Sequence, residues 1–143
     1  MLKKIDHIGI AVADLEAAIQ KYTELTGQSA AHKEIVPEQS VATAFFPVGE
    51  VRLELLKGTD ANSPISKFIE KRGEGIHHLC FEVEDLAKAK AALSTLGFQF
   101  IEQASEQGAG GSKVAFIHPK STGGILMELV EYPKRNKQAE RCT

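Results

Sequence analysis

The sequence predicts an α+β fold in which two βαβββ modules pair into one curved, barrel-like sheet. Three observations carry that expectation. The segment from Ile5 to Gly27, IDHIGIAVADLEAAIQKYTELTG, returns in degenerate form from Ile76 to Gly97 as IHHLCFEVEDLAKAKAALSTLG. Each copy passes from alternating apolar residues to apolar residues at helical spacing. Short apolar segments separated by turn residues then follow each copy. Repetition at this scale marks two copies of one supersecondary unit, and neither copy is large enough to cover its own sheet.

Within the repeat, His7 matches His78, Val12 matches Val83, Asp14 matches Asp85, Leu15 matches Leu86, and Gly27 matches Gly97. Ile8, Ile10 and Val12 alternate with His7, Gly9 and Ala11, as in a strand. Asp14 and Asp85 are placed to accept the unpaired amide hydrogens of a first helical turn. Leu15, Ala18, Ile19, Tyr22 and Leu25 follow at helical spacing, as do Leu86, Ala89, Leu93 and Leu96. Gly27 and Gly97 supply a left-handed residue to close each helix. The first half continues with strands VATAFFPV and VRLELL joined by Gly49-Glu50, the second with FQFIEQ, KVAFIH and ILMELV. Between the halves, Ser63-Pro64 opens a short helix. The chain is expected to be one domain, with module one about 4–57, a linker about 58–74, module two about 75–132 and a polar tail 133–143.

Composition narrows the function. With 43% hydrophobic and 25% charged residues, the chain is an ordinary globular protein. A formal net charge of −2 attracts neither nucleic acid nor an anionic membrane surface. Cys80 sits in an apolar run and Cys142 in the tail, so no disulfide framework is expected, and a cytoplasmic location fits.

Four polar residues interrupt the apolar pattern. His7 and His78 lie on the first strand of each half, and Glu54 and Glu128 on the last. Two imidazoles and two carboxylates on one concave face would repel without a cation. Like charges ~4 Å apart at an effective dielectric near 20 cost about 4 kcal/mol. One divalent ion (Co, Mn, Ni or Zn) reverses that sign and suits mixed nitrogen and oxygen donors. A simpler alternative stands beside this one: a histidine at a strand start is commonly a core residue, and Glu54 has Arg52 two residues away on its face. His32, His77 and His118 lack repeat-related counterparts, and structural or surface roles are expected for them.

On IDHIGIAVADLEAA, VPEQSV, LELL, NSPISKFI, GIHHLCFEV and GAGGSKVAFIHPKSTGGILMELVE, the chain resembles the vicinal-oxygen-chelate superfamily, and within it the methylmalonyl-CoA epimerases. The resemblance runs from Ile5 to about Tyr132. It implies paired βαβββ modules around one metal site with ligands His7, Glu54, His78 and Glu128. It also implies an acyl-CoA substrate, a homodimer, and epimerisation of 2-methylmalonyl-CoA by 1,1-proton transfer through a metal-stabilised enolate, with Glu38 and Glu128 as acid and base. Ser40 departs from the pattern, which often has glycine there. Lys113, Lys120 and the Gly108–Gly111 backbone are candidate phosphate contacts, and a flexible hairpin connection explains the same glycines equally well. Two alternatives share the scaffold: a glyoxalase I-type lactoylglutathione lyase, and a metal-free small-molecule-binding module.

Overall fold

The computed structural model describes residues 1–103 and 106–134. The first half contains β1 (Leu2–Ala11), α1 (Leu15–Thr26), β2 (His32–Val36), β3 (Val41–Val48) and β4 (Val51–Gly58). Helix α2 (Pro64–Arg72) leads to β5 (Gly75–Val83), α3 (Leu86–Thr95), β6 (Lys113–Ile117) and β7 (Met127–Glu131). All seven strands form one sheet in the order β2-β3-β4-β1-β5-β7-β6, curled into a half-barrel. At its centre β1 and β5 run antiparallel. Each pairs in parallel with the last strand of its own half, β1 with β4 and β5 with β7. The repeat in the sequence is thus a local twofold in space.

The predicted caps form. Asp14 Oδ1 accepts from the Ala17 amide and Asp85 Oδ1 from the Lys88 amide, both at 3.0 Å. Gly27 closes α1 in the left-handed region at φ 72°. Ser63 accepts from the Ile65 amide, with Pro64 opening α2.

Alternation separates the two faces of the sheet. Ala44, Phe46 and Leu55 turn outward and pack with Val12 and Ala18 beneath α1. Ala115, Ile117 and Leu129 do the same with Leu86 and Ala89 of α3. Full burial of each large side chain contributes about 1.5–3 kcal/mol. Their strand neighbours Phe45, Glu54, Glu128 and Val130 face the concave side. Leu25 and Leu96, expected on the buried helix faces, instead lie exposed at the helix ends.

Two further differences concern strands. His32–Val36 forms an edge strand that hydrophobic alternation does not announce. FQFIEQ, expected as a strand, makes only an isolated bridge between Phe100 and Ile117. The Gln103 side chain donates to the Val114 carbonyl at 2.8 Å, taking an acceptor that a continued backbone ladder would use. Among the described residues no helix is long and apolar enough to cross a membrane. Most of the predicted polar tail, Cys142 included, lies outside the described residues.

Candidate metal centre

Strand register brings the four interrupting residues together. Gly9 pairs with Glu54 on β4 and with His78 on β5, giving one row across the sheet. His7 pairs with Cys80, which pairs with Glu128 on β7, giving the next row. Gly9 and Cys80 occupy matching positions of the repeat, and their small size leaves room above them for the rings and carboxylates. All four polar residues are buried, none more than 7% exposed.

Three of the donors, from His7, Glu54 and His78, form one tight group, and Glu128 joins it through His7. His7 Nε2 lies 3.1 Å from His78 Nε2, 3.2 Å from Glu128 Oε1 and 3.5 Å from Glu54 Oε1. His78 Nε2 lies 3.6 Å from Glu54 Oε1. Ligand atoms of His7, Glu54 and His78 all fall within 4.8 Å of one another. Neighbouring ligands of an ion with bonds of ~2.0–2.2 Å stand about 3 Å apart, so this nitrogen and oxygen set fits a divalent cation. Glu54 does not pair with Arg52. That guanidinium turns to Asp6 and to the Tyr132 hydroxyl instead.

Asp6 was not anticipated. Its Oδ2 accepts from His7 Nδ1 at 2.6 Å, from the Tyr132 hydroxyl at 2.8 Å and from Arg52 at 2.9 Å. Strand neighbours ordinarily face opposite ways. Here the β1–β5 register slips between Ile5 and His7, making Asp6 the extra residue of a bulge. The bond to Nδ1 holds the ring so that Nε2 faces the cluster, the orientation seen when a carboxylate backs a metal-ligating histidine.

The charges are strongly coupled. Burial opposes ionisation of Asp6, but hydrogen bonds from His7, Tyr132 and Arg52 outweigh it and bring the carboxyl down to about 2. Burial also opposes a charged His7, yet Asp6 and Glu128 raise it to about 10. In the protein alone, the proton on His7 balances the carboxylates that a cation would otherwise neutralise. Burial lifts Glu54 to about 7, with Glu128 adding to the rise and His7 opposing it. Glu128 is held below the usual carboxylate range: burial resists, but the His7 hydrogen bond and nearby His78 prevail. Burial pushes His78 down to about 4, against the pull of Glu128.

The cluster forms the floor of a cleft of about 640 Å³ drawn from both halves of the chain. Apolar walls include Val41, Phe45, Leu56, Ile65, Val114 and Phe116. Glu38 lines the same cleft from an exposed 3-10 turn, Pro37–Gln39, and is not part of the buried cluster. The turn ends at Ser40, which has φ 52° and is the one non-glycine with positive φ among the described residues. Left-handed geometry accounts for glycine suiting this position. Gly108 and Gly110 line the cleft, whereas neither Lys113 nor Lys120 does. His32 is exposed beside Glu34 at the cleft rim, and His118 accepts from the Lys120 amide. His77, expected in a structural or surface role, lines the cleft with its Nδ1 2.9 Å from His78 Nδ1.

Known proteins share this architecture. Residues 6–116 match the model of the glyoxalase/bleomycin resistance protein/dioxygenase superfamily. An uncharacterised Bacillus subtilis protein, YqjC, is 42% identical, covering 97% of this chain and 99% of its own length. The ethylmalonyl-CoA/methylmalonyl-CoA epimerase of Cereibacter sphaeroides is 37% identical, covering 90% of this chain and 98% of its own. The crystal structure of methylmalonyl-CoA epimerase from Mycobacterium tuberculosis superposes with a TM-score of 0.87 at 37% identity, covering 97% of this chain and 93% of that one. Fold and site together define a protein of the glyoxalase/bleomycin resistance/dioxygenase class. The chain belongs to that superfamily and, within it, to the methylmalonyl-CoA epimerase family.

Proposed function

We propose that the protein interconverts the R and S forms of 2-methylmalonyl-CoA by removing and returning the proton at C2. The observation that carries this is the meeting of His7, Glu54, His78 and Glu128 on the floor of a largely apolar cleft, in a chain whose relatives include epimerases. These four residues would hold one divalent ion. When bound, such an ion supplies Lewis-acid stabilisation of negative charge on the substrate oxygens.

The rest falls to the chain's own residues. Inversion at C2 needs a base on one side and an acid on the other. Glu128, held ionised, can accept the C2 proton; charge from the broken C–H bond then spreads onto the thioester oxygen. Glu38, carried on a different element of the cleft wall, can deliver a proton to the opposite face. The apolar walls keep bulk water from the reacting carbon. A cytoplasmic homodimer belongs to the same proposal, and light scattering tests the assembly.

The decisive assay incubates purified protein with a single epimer in deuterated water. Both epimers should form, with deuterium at C2. Turnover of a glutathione hemithioacetal without any exchange at C2 would instead make the protein a lactoylglutathione lyase. Tight ligand binding with no exchange and no bound metal would make it a binding module.

A further inference from the structure

Asp6 has a structural counterpart in the second half of the chain. Of the three slips in the β1–β5 register, the one at the far end from Leu2 falls where Gly9 pairs with His78 but Ile10 pairs with Ile76, leaving His77 as the extra residue. Asp6 directly precedes His7, and His77 directly precedes His78. Each is the inserted residue of a bulge between the two central strands. Each lies against Nδ1 of the histidine that follows it, at 2.6 Å for Asp6 and 2.9 Å for His77. In a regular strand, His77 and His78 would face opposite sides of the sheet. The bulge turns both toward the cleft. A bulge that re-aims a side chain beside a functional site is a designed feature and not a packing defect.

We infer that His77 is a positioning residue that holds His78 with its Nε2 lone pair aimed at the ion. This rests on the four-residue cluster being the metal site. For His78 Nε2 to serve as a ligand, the ring's proton must sit on Nδ1, and a buried N–H needs an acceptor. His77 Nδ1 is the acceptor within reach. Its own proton then resides on Nε2. Phe68 of α2 packs at right angles to the His77 ring, with centroids 4.9 Å apart, and restrains it from rotating away. The two halves thus solve one orientation problem with different chemistry. An anion backs His7, and a neutral ring backs His78.

The difference suits the charge of the site. Asp6 brings a negative charge matched locally by Arg52. Behind His78, a neutral imidazole accepts the same hydrogen bond without adding a second negative charge to the site.

The test uses 15N-histidine-labelled full-length protein, both metal-free and loaded with Zn(II), together with His77→Phe and His77→Gln. Wild type should show a nitrogen–nitrogen scalar coupling across the His77–His78 hydrogen bond, and in the Zn(II) form the shared proton should lie on His78 Nδ1. His77→Phe, which removes the acceptor, should weaken Zn(II) binding about 10- to 100-fold. His77→Gln, whose side-chain carbonyl can accept, should recover most of that loss. Zn(II) affinity in His77→Phe equal to wild type, or a shared proton found on His77 Nδ1 in the Zn(II) form, overturns the inference. If His77→Phe does not fold, the wild-type coupling and the His77→Gln affinity decide. If wild-type protein binds no Zn(II), the metal-site reading itself falls, while the coupling in the metal-free protein still shows whether the His77–His78 bond exists.

Discussion

Gly9 and His78 face each other across β1 and β5, and the His78 imidazole lies in the space that a Cβ at Gly9 would occupy. The glycine serves close approach, not an unusual backbone angle. One strand is left bare so that the neighbouring strand's ligand can lie across it. Gly9→Ala should therefore displace the ring, destabilise the fold by ~1–3 kcal/mol through overpacking, and weaken metal binding. Thermal unfolding and metal titration of the purified variant measure both. Unchanged values would show that the ring has room elsewhere.

Asp6→Asn removes the anion behind His7 while keeping the side-chain shape. Arg52 and Tyr132 then compete with His7 for a single neutral carbonyl oxygen. Metal affinity should fall about 10- to 100-fold, and isothermal titration reads the change directly. An affinity equal to wild type would mean that His7 needs no orienting carboxylate.

Metal binding should be proton-coupled. His7 is raised to about 10 and Glu54 to about 7, so both carry protons at low pH that an incoming cation must displace. The logarithm of the apparent affinity should rise with pH, at a slope of about two between pH 4, where His78 has already lost its proton, and pH 7, and about one between pH 7 and 10. In the metal-free protein, the stabilisation from charged His7 is fully present below its ordinary value of 6.5 and is lost as pH rises through about 10. Titrations in buffers of different ionisation enthalpy count the released protons. A flat profile across neutral pH would contradict the coupling.

Glu38→Gln should abolish epimerisation while metal content stays normal, because Glu38 lines the cleft without joining the buried cluster. A coupled assay and metal analysis on one preparation separate the two effects. Near-native turnover would remove Glu38 from the mechanism.

Ser40→Gly should raise stability slightly. A left-handed residue other than glycine costs roughly 1–2 kcal/mol, and the extra freedom of glycine in the unfolded chain returns about 0.4–1 kcal/mol of that. The expected net gain lies between about 0 and 1.6 kcal/mol, measured by chemical denaturation. A loss of stability would show that the serine makes a compensating contribution.

Much of the architecture is legible in the sequence because a repeated fold repeats its signals. The Asp caps, the closing glycines and the helical spacing recur in both halves. So do the histidine and glutamate that break each apolar pattern, and the structure brings those four together. Asp6 and His77 are not legible in this way. Alternation assigns each to the face opposite its neighbouring histidine, and the bulges that reverse this depend on pairing between β1 and β5, which neither strand announces alone. Arg52 misleads for a related reason. Its proximity to Glu54 in sequence offers an ion pair, while across the sheet Asp6 and Tyr132 offer better geometry. The FQFIEQ segment shows the same limit: past the Phe100–Ile117 bridge it is a side-chain amide, from Gln103, and not a backbone amide that reaches the Val114 carbonyl.

The most direct test of the central claim is anomalous diffraction from a crystal of the metal-loaded protein, recorded at the absorption edge of the added ion. The account predicts one peak per chain, within ~2.0–2.2 Å of His7 Nε2, His78 Nε2 and a carboxylate oxygen from each of Glu54 and Glu128. At saturating metal, a cleft floor without a peak, or a peak bound by other side chains, would contradict it.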